Sequence, residues 1–252
     1  MKIDVITLFP ELVASLQHYG VVGRALQDSK VELELTNPRD FTQDSNHRVD
    51  DRPYGGGPGM VMQFDPLSRA LNHIQSKAKD EISSKVVYLS PQGQRLNQQE
   101  VRRLGKCQHM ILLCGRYEGI DERFIETKVD EEWSLGDYVI SGGELAAMVL
   151  IDAIARTIPG VLGDDQSAEQ DSFESGLLDY PHYTRPESIA GNDVPEELLS
   201  GDHQKIEQWR IKQALGRTFL RRPDLIEKYC LSEQEQHLLN EYLAEHKAKN
   251  KR

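Results

Sequence analysis

The strand-like stretches of this chain alternate with helical ones, and the way several of them end limits the fold more than any other feature. Lys85–Ser90 (KVVYLS) and His109–Cys114 (HMILLC) are short, largely apolar runs, as expected of strands covered on both faces. Ile3–Leu8 is rich in β-formers and stops at Phe9-Pro10, where proline suits the first turn of a helix. Lys30–Thr36 alternates as a half-buried strand before Asn37-Pro38, and Leu135–Ser141 reads as a further strand. Between them, helices are expected from Asp65 to about Lys79, from the Asn97 cap to about Lys106, and from Asp121 to about Glu126. Leu145–Ile158 follows, apolar almost all round except for Asp152 and Arg156. It is too short and too charged to span a bilayer, so it reads as a buried helix. This alternation predicts an α/β fold: a parallel sheet with helices on both faces. In such sheets ligands sit beyond the carboxyl ends of the strands.

Three strands end in close-approach turns: Ser90-Pro91-Gln92-Gly93, Gly115-Arg116-Tyr117-Glu118-Gly119 and Ser141-Gly142-Gly143. Each alone is compatible with a tight β–α connection. Three at one end of a sheet favour a ligand site built largely from backbone. No G-x-G-x-x-G fingerprint follows any strand, which disfavours NAD, and Gly55–Gly59 lacks the Lys-Ser/Thr of a P-loop.

Pro159 and Gly160 stop the buried helix. Gly163–Gly176 is acidic and polar and reads as a flexible linker. Helices are expected at Asp202–Leu220, Pro223–Tyr229 and Ser232–His246, the last opened by a Ser232/Glu235 capping box, with a disordered tail from His246 to Arg252. The predicted organisation is a first domain over 1–160, a linker over 161–176 and a small all-α domain over 177–252. The net charge of −11 is uneven. Residues 1–202 carry 19 basic and 34 acidic side chains, whereas 203–252 carry 11 basic and 7 acidic. A basic window from Lys205 to Arg222 fits a phosphate backbone or a solvated helix face equally well. Cys107, Cys114 and Cys230 form no close C-x-x-C pair, so neither a disulfide framework nor a structural zinc site is expected. The opening MKIDVITLFPEL is too short in its apolar stretch for a signal peptide, and a cytoplasmic location without membrane association is expected.

Taken in order, VDDRPYGGGPGM (Val49–Met60), YLSPQG (Tyr88–Gly93), CGRYEGIDER (Cys114–Arg123), DEEWSLGDYVISGGEL (Asp130–Leu145), IPGVLG (Ile158–Gly163), DSF (Asp171–Phe173), GLLDYPHYTRP (Gly176–Pro186) and LGRTFLRRP (Leu215–Pro223) span nearly the whole chain. They resemble the bacterial tRNA (guanine-N1)-methyltransferases of the knotted SPOUT class. One departure is Ala146, where the family pattern has proline.

The resemblance implies a deep trefoil knot, which a reading of the residues alone would not choose. It implies S-adenosylmethionine as methyl donor, held by Tyr88, Leu89, Ser90, Pro91, Gly115, Glu118, Leu135, Gly136, Asp137, Tyr138, Val139, Ile140, Gly142 and Gly143. It implies tRNA as substrate, methylated on N1 of the guanosine immediately 3′ to the anticodon (m1G37). Asp171 would be the base for the N1 proton and Arg156 would stabilise charge on O6, with Mg²⁺ as a second candidate for that role; the sequence offers no dedicated metal cage. From composition alone Asp164, Asp165, Glu169 and Glu174 compete with Asp171, and Arg156 competes as an ion-pair partner of Asp152. Aspartate is intrinsically a weak base, so desolvation on linker closure must raise its basicity. Arg185, Arg210, Arg217, Arg221 and Arg222 would grip the tRNA. The resemblance also implies a homodimer with active sites shared between subunits. A knotted enzyme acting on a ribose 2′-OH and a non-catalytic RNA-binding module are the readings it must be tested against.

Overall fold

A computed structural model of the protein describes residues 1–77, 83–163 and 171–249. The expected helix end at Lys79, the competing linker acids Asp164, Asp165 and Glu169, and the last three residues of the tail lie outside that set. The chain divides into two compact units, Met1–Asp165 and Gln166–Arg252.

The first unit is built on a five-stranded sheet ordered β2-β1-β6-β5-β7, every pairing parallel. Its strands are β1 (Lys2–Ile6), β2 (Glu32–Thr36), β5 (Ser84–Arg95), β6 (His109–Cys114) and β7 (Glu131–Ser134). β3 (Asp50–Asp51) and β4 (Val61–Met62) form a separate antiparallel pair. Every residue of β6 is buried. Because successive side chains point to opposite faces, Met110, Leu112 and Cys114 enter one core while Ile111 and Leu113 enter the other. Val87 and Leu89 against Val86 and Tyr88 on β5 divide in the same way. This is why these strands are apolar throughout. The first core is closed by α2 (Gly20–Gln27), α4 (Gln98–Leu104) and α6 (Gly143–Ala155), together with α1 (Pro10–Ala14). The second is closed by α3 (Phe64–Lys77) and α5 (Glu122–Lys128). Helices therefore cover both faces, as the alternation predicts. Asn97 and Asp121 cap α4 and α5 through their side chains. No helix among the described residues is long and apolar enough to cross a membrane.

Two features correct the sequence reading. β5 runs past Ser90 to Arg95. Leu89 and Gln94 both face Trp133, so residues 90–93 loop out of the ladder. A Cβ on Gly93 would stand 2.4 Å from the Trp133 backbone nitrogen, so the loop closes only around glycine. The last strand is Glu131–Ser134, not Leu135–Ser141. Trp133 and Ser134 are buried on β7, and Trp133 Nε1 donates to Glu131 at 2.9 Å. Gly136 then turns at φ 156 and the Tyr138 N–H closes on its carbonyl at 2.9 Å, which ends extension. The apolar Val139 that suggests a strand is 85% exposed.

Glu131 ties this edge down. It accepts Arg103 Nη1 and Nη2 at 2.9 and 2.6 Å and also bonds Lys85. The Arg103 hydrogen bonds, with those from Lys85 and Trp133, pull its carboxyl down from about 4.5 to about 2. A carboxylate whose folded pKa is depressed adds stability that is complete above its unfolded pKa and is lost as pH falls towards the folded one. Glu131→Gln should therefore flatten the fall in urea midpoint between about pH 4.5 and 2. An unchanged slope in that window would refute this assignment.

The second unit contains a two-residue hairpin of β8 (Ser188–Ile189) and β9 (Asn192–Asp193), followed by α7 (Glu196–Leu199), α8 (His203–Arg221), α9 (Pro223–Ile226) and α10 (Glu233–Lys249). Leu177, Leu215 and Leu239 form its small core. Gly216 lets α8 approach α10, since a Cβ there would meet the Tyr242 ring at 2.1 Å. Asp202 caps α8. The capping box is formed: the Ser232 N–H donates to Glu235 Oε2 at 2.9 Å, and the Glu235 N–H donates to Ser232 Oγ at 3.2 Å. Asp171–Gly176, read from composition as linker, forms a closed turn. Its bonds include Phe173 N–H to Leu177 O at 2.7 Å and Gly176 N–H to Phe173 O at 3.3 Å.

Candidate active site

A cleft of about 400 Å³ opens beyond the carboxyl ends of β5, β6 and β7. Tyr88–Gln92, Gly115–Ile120 and Ser134–Gly136 with Tyr138–Gly143 wall it. The three glycine-rich turns of the sequence thus meet at one place. Of the residues expected to hold the donor, all line the cleft except Asp137. Asp137 instead pairs with Arg95 and is 85% exposed at its side chain. Asp137 lies on a loop beyond β7, not on the strand that the sequence suggested, and its carboxylate accepts from Arg95.

Glycine is needed in these turns for space as much as for conformation. A Cβ at Gly115 would lie 2.7 Å from the Tyr88 hydroxyl, and one at Gly143 would lie 2.7 Å from Cys114 Cα. The Gly143 N–H donates to the Gly115 carbonyl at 2.9 Å, binding the third turn to the second. Burial pushes the Tyr88 hydroxyl up to about 12, with nearby Glu132 and Glu122 adding to the effect. Tyr117 adopts φ 60, a costly choice for a residue with a side chain. Carboxylates at Glu118, Glu122 and Glu132 and aromatic faces at Tyr88, Trp133 and Tyr138 line one space. That combination suits a ligand with an aromatic base and a positive charge.

Several contributors were not evident from the sequence. Gly59 packs against Glu118: a Cβ there would meet Glu118 Oε1 at 2.3 Å. Met62 accepts from Asp121 N–H and donates to Gly119 O, both at 3.0 Å, so the exposed Gly55–Gly59 turn is docked beside the cleft. Thr7, Arg116 and Glu144 form a polar set under the third turn.

The family model described as tRNA (Guanine-1)-methyltransferase TrmD matches residues 1–228. The chain belongs to the tRNA (guanine-1)-methyltransferase family. Relatives named tRNA (guanine-N(1)-)-methyltransferase include that of Shewanella sediminis, 57% identical over 96% of this chain and 100% of its own length. Those of Shewanella frigidimarina (57%, covering 97% of this chain and 98% of the relative) and Shewanella sp. strain MR-4 (58%, 96% and 97%) are similar.

The remaining site residues expected of a member of this family lie elsewhere. Arg156 follows the last turn of α6, and its N–H donates to Asp152 O at 3.2 Å. Gly143 begins that helix at the cleft. At 1.5 Å per residue, the two ends stand about 20 Å apart, and Arg156 does not line the cleft. Asp171 opens the turn of the second unit, where Glu174 N–H donates to its carbonyl at 3.3 Å. Arg210 lies 4.9 Å over the Tyr180 ring. Arg222 pairs with Asp224 at 2.7 Å and stacks 5.8 Å from Phe173. Arg185, which precedes a cis proline, and Arg221 are exposed, and Arg217 is half-buried. Among the described residues no three His, Cys, Asp or Glu side chains gather as a metal group.

Proposed function

We propose that this protein transfers a methyl group from S-adenosylmethionine to N1 of the guanosine immediately 3′ to the tRNA anticodon. The observation that carries the reading is the convergence of three glycine-rich turns on one cleft in a chain of this family. Backbone groups at Gly115 and Gly142, the Tyr88 and Tyr138 rings and the acidic side chains suit adenosine and a sulfonium. The donor supplies an electrophilic methyl. The chain's own residues bind and orient it and exclude water from the cleft.

Guanine N1 carries a proton, and its attack leaves charge on O6. In this reading Asp171 accepts that proton and Arg156 neutralises the oxygen. Arg156 stands about 15 Å along α6 from Ala146, the last residue of that helix to line its own chain's cleft, which supports a homodimer in which the partner subunit's Arg156 and the partner subunit's Asp171 complete each site. Phe9, Leu12, Leu145 and Val149 are exposed apolar residues on α6 and around α1, as a second copy would require. The knot is part of the same proposal, supported by the Gly143–Gly115 bond, which binds the start of α6 to the turn after β6. Mg²⁺ is the second candidate in this reading for the charge on O6, alongside Arg156. Residues 1–160 would bind donor and catalyse, 177–252 would hold tRNA through Arg185, Arg210, Arg217, Arg221 and Arg222, and 161–176 would join them. A cytoplasmic location follows from that substrate.

The test is to methylate unmodified tRNA with labelled S-adenosylmethionine and map the product by nuclease digestion and mass spectrometry. A single 1-methylguanosine 3′ to the anticodon is expected. A 2′-O-methyl nucleoside would replace this reading with a ribose methyltransferase, and tRNA binding without any transfer would replace it with an RNA-binding module.

A further inference from the structure

Glu144 is the second residue of α6 and fully buried, yet it does not line the cleft. A carboxylate withdrawn from water is costly unless it is paired and hydrogen-bonded. Both conditions are met. Oε1 accepts the Thr7 hydroxyl at 2.9 Å and Oε2 accepts Arg116 Nε–H at 2.8 Å. The first turn of a helix also favours a negative charge.

Arg116, unlike Glu144, does line the cleft. Its Nη1 donates to the Ser141 carbonyl at 3.1 Å, and its guanidinium lies 4.5 Å from the Phe9 ring centre. A Cβ on Gly142 would fall 2.2 Å from Arg116 Nε. The guanidinium is therefore pressed against the Ser141–Gly142 backbone, with Glu144 on one side and Phe9 over its face. Thr7 holds the carboxylate from the end of β1, and the Phe9 N–H donates to the same Thr7 hydroxyl at 3.0 Å.

We infer that Glu144 is a positioning residue for the methyl donor: it holds Arg116 in the orientation that shapes the Ser141–Gly142 wall of the cleft, and Thr7 fixes the carboxylate. The inference rests on the reading of the cleft as the donor site. A fold-stabilising ion pair would be felt in the melting temperature alone. A positioning role is felt in donor affinity in protein that remains folded.

Glu144→Gln keeps the shape and removes the charge that aligns Arg116. Charge-assisted hydrogen bonds are the stronger class, and loss of one is expected to raise the KM for S-adenosylmethionine about tenfold. The Kd of S-adenosylhomocysteine, measured by calorimetry, should rise by the same factor. At saturating donor, kcat should stay within about twofold, the pattern of lost ground-state binding. Thr7→Ser should match wild type and Thr7→Val should share part of the defect. A Kd within about twofold of wild type for folded Glu144→Gln overturns the inference. So does a fall in kcat with Kd unchanged. Should Glu144→Gln fail to fold, Arg116→Lys serves instead, because an ammonium cannot reproduce the two-directional guanidinium contact; unchanged Kd there is equally fatal. Tyr138→Ala, an exposed cleft-wall change, separates the two levels of the argument. If it weakens S-adenosylhomocysteine while Glu144→Gln does not, the positioning role alone falls. If neither alters Kd, the donor site lies elsewhere and both readings fall.

Discussion

Asp171→Ala is expected to lower methyl transfer at saturating tRNA and donor by about 10²–10⁴-fold, the usual contribution of a positioned general base. Affinity for S-adenosylhomocysteine should stay near that of wild type. The two readouts diverge because Asp171 belongs to the second unit, whereas the cleft is walled entirely by residues of the first. The turn that carries Asp171 is closed by backbone bonds of Phe173, Glu174 and Gly176, none of which needs the carboxylate side chain. A melting curve of the variant separates a folding defect from a catalytic one. Asp171→Asn tests proton acceptance more narrowly, since it keeps size and polarity. Near-normal single-turnover rates in either variant would remove Asp171 from the mechanism and return the question to Glu174 and the neighbouring acids.

Gly143→Ala should produce a large structural effect for a single added methyl. The added carbon would meet Cys114 Cα at 2.7 Å, Gly115 N at 3.1 Å and Cys114 C at 3.2 Å. All three are backbone atoms at the end of the central strand, where there is no side chain to swing aside. Overpacking of this kind costs about 1–3 kcal/mol, and the upper end applies where backbone must move. For a chain of this length that corresponds to a fall in Tm of about 6–12 °C, accompanied by loss of measurable donor binding as the Gly143–Gly115 bond opens. Gly142→Ala is the informative contrast. The atoms nearest its new carbon belong to the Arg116 side chain, so donor affinity should suffer while Tm changes less. Equal and small effects in both variants would mean that the turn is looser than its geometry implies.

The sheet was legible because its central strands are apolar on both faces, and β6 needed no more than its own six residues to be recognised. β7 was misplaced for a physical reason. Its residues, Glu-Glu-Trp-Ser, look polar in isolation, and the partners that neutralise Glu131, Lys85 and Arg103, come from other strands and helices. The apolar Val139 and Ile140 attracted the strand assignment, yet they serve the cleft wall. The glycine turns pointed to one end of the sheet, where the structure has a cleft, and packing distances then separated those that need space from those that need an unusual φ. Glu144 could not be read as special from the sequence, since a glutamate in the first turn of a helix is ordinary; its burial and its pairing with Thr7 and Arg116, both distant along the chain, are visible in the structure alone. Asp171 was singled out by resemblance to the family, because composition ranks it with its acidic neighbours.

The sheet order also sets a timetable for synthesis. β1 lies between β2 and β6. β2 follows it closely from the ribosome, but β6 ends only at Cys114. At roughly 5–20 residues per second, the other edge of β1 stays unpaired for several seconds while the intervening segments emerge. The hydrogen bond from Thr7 to Glu144 then spans 137 residues. The chain's earliest segment thus waits for one of the latest parts of its own domain, and the cleft closes only after nearly the whole first unit has been made.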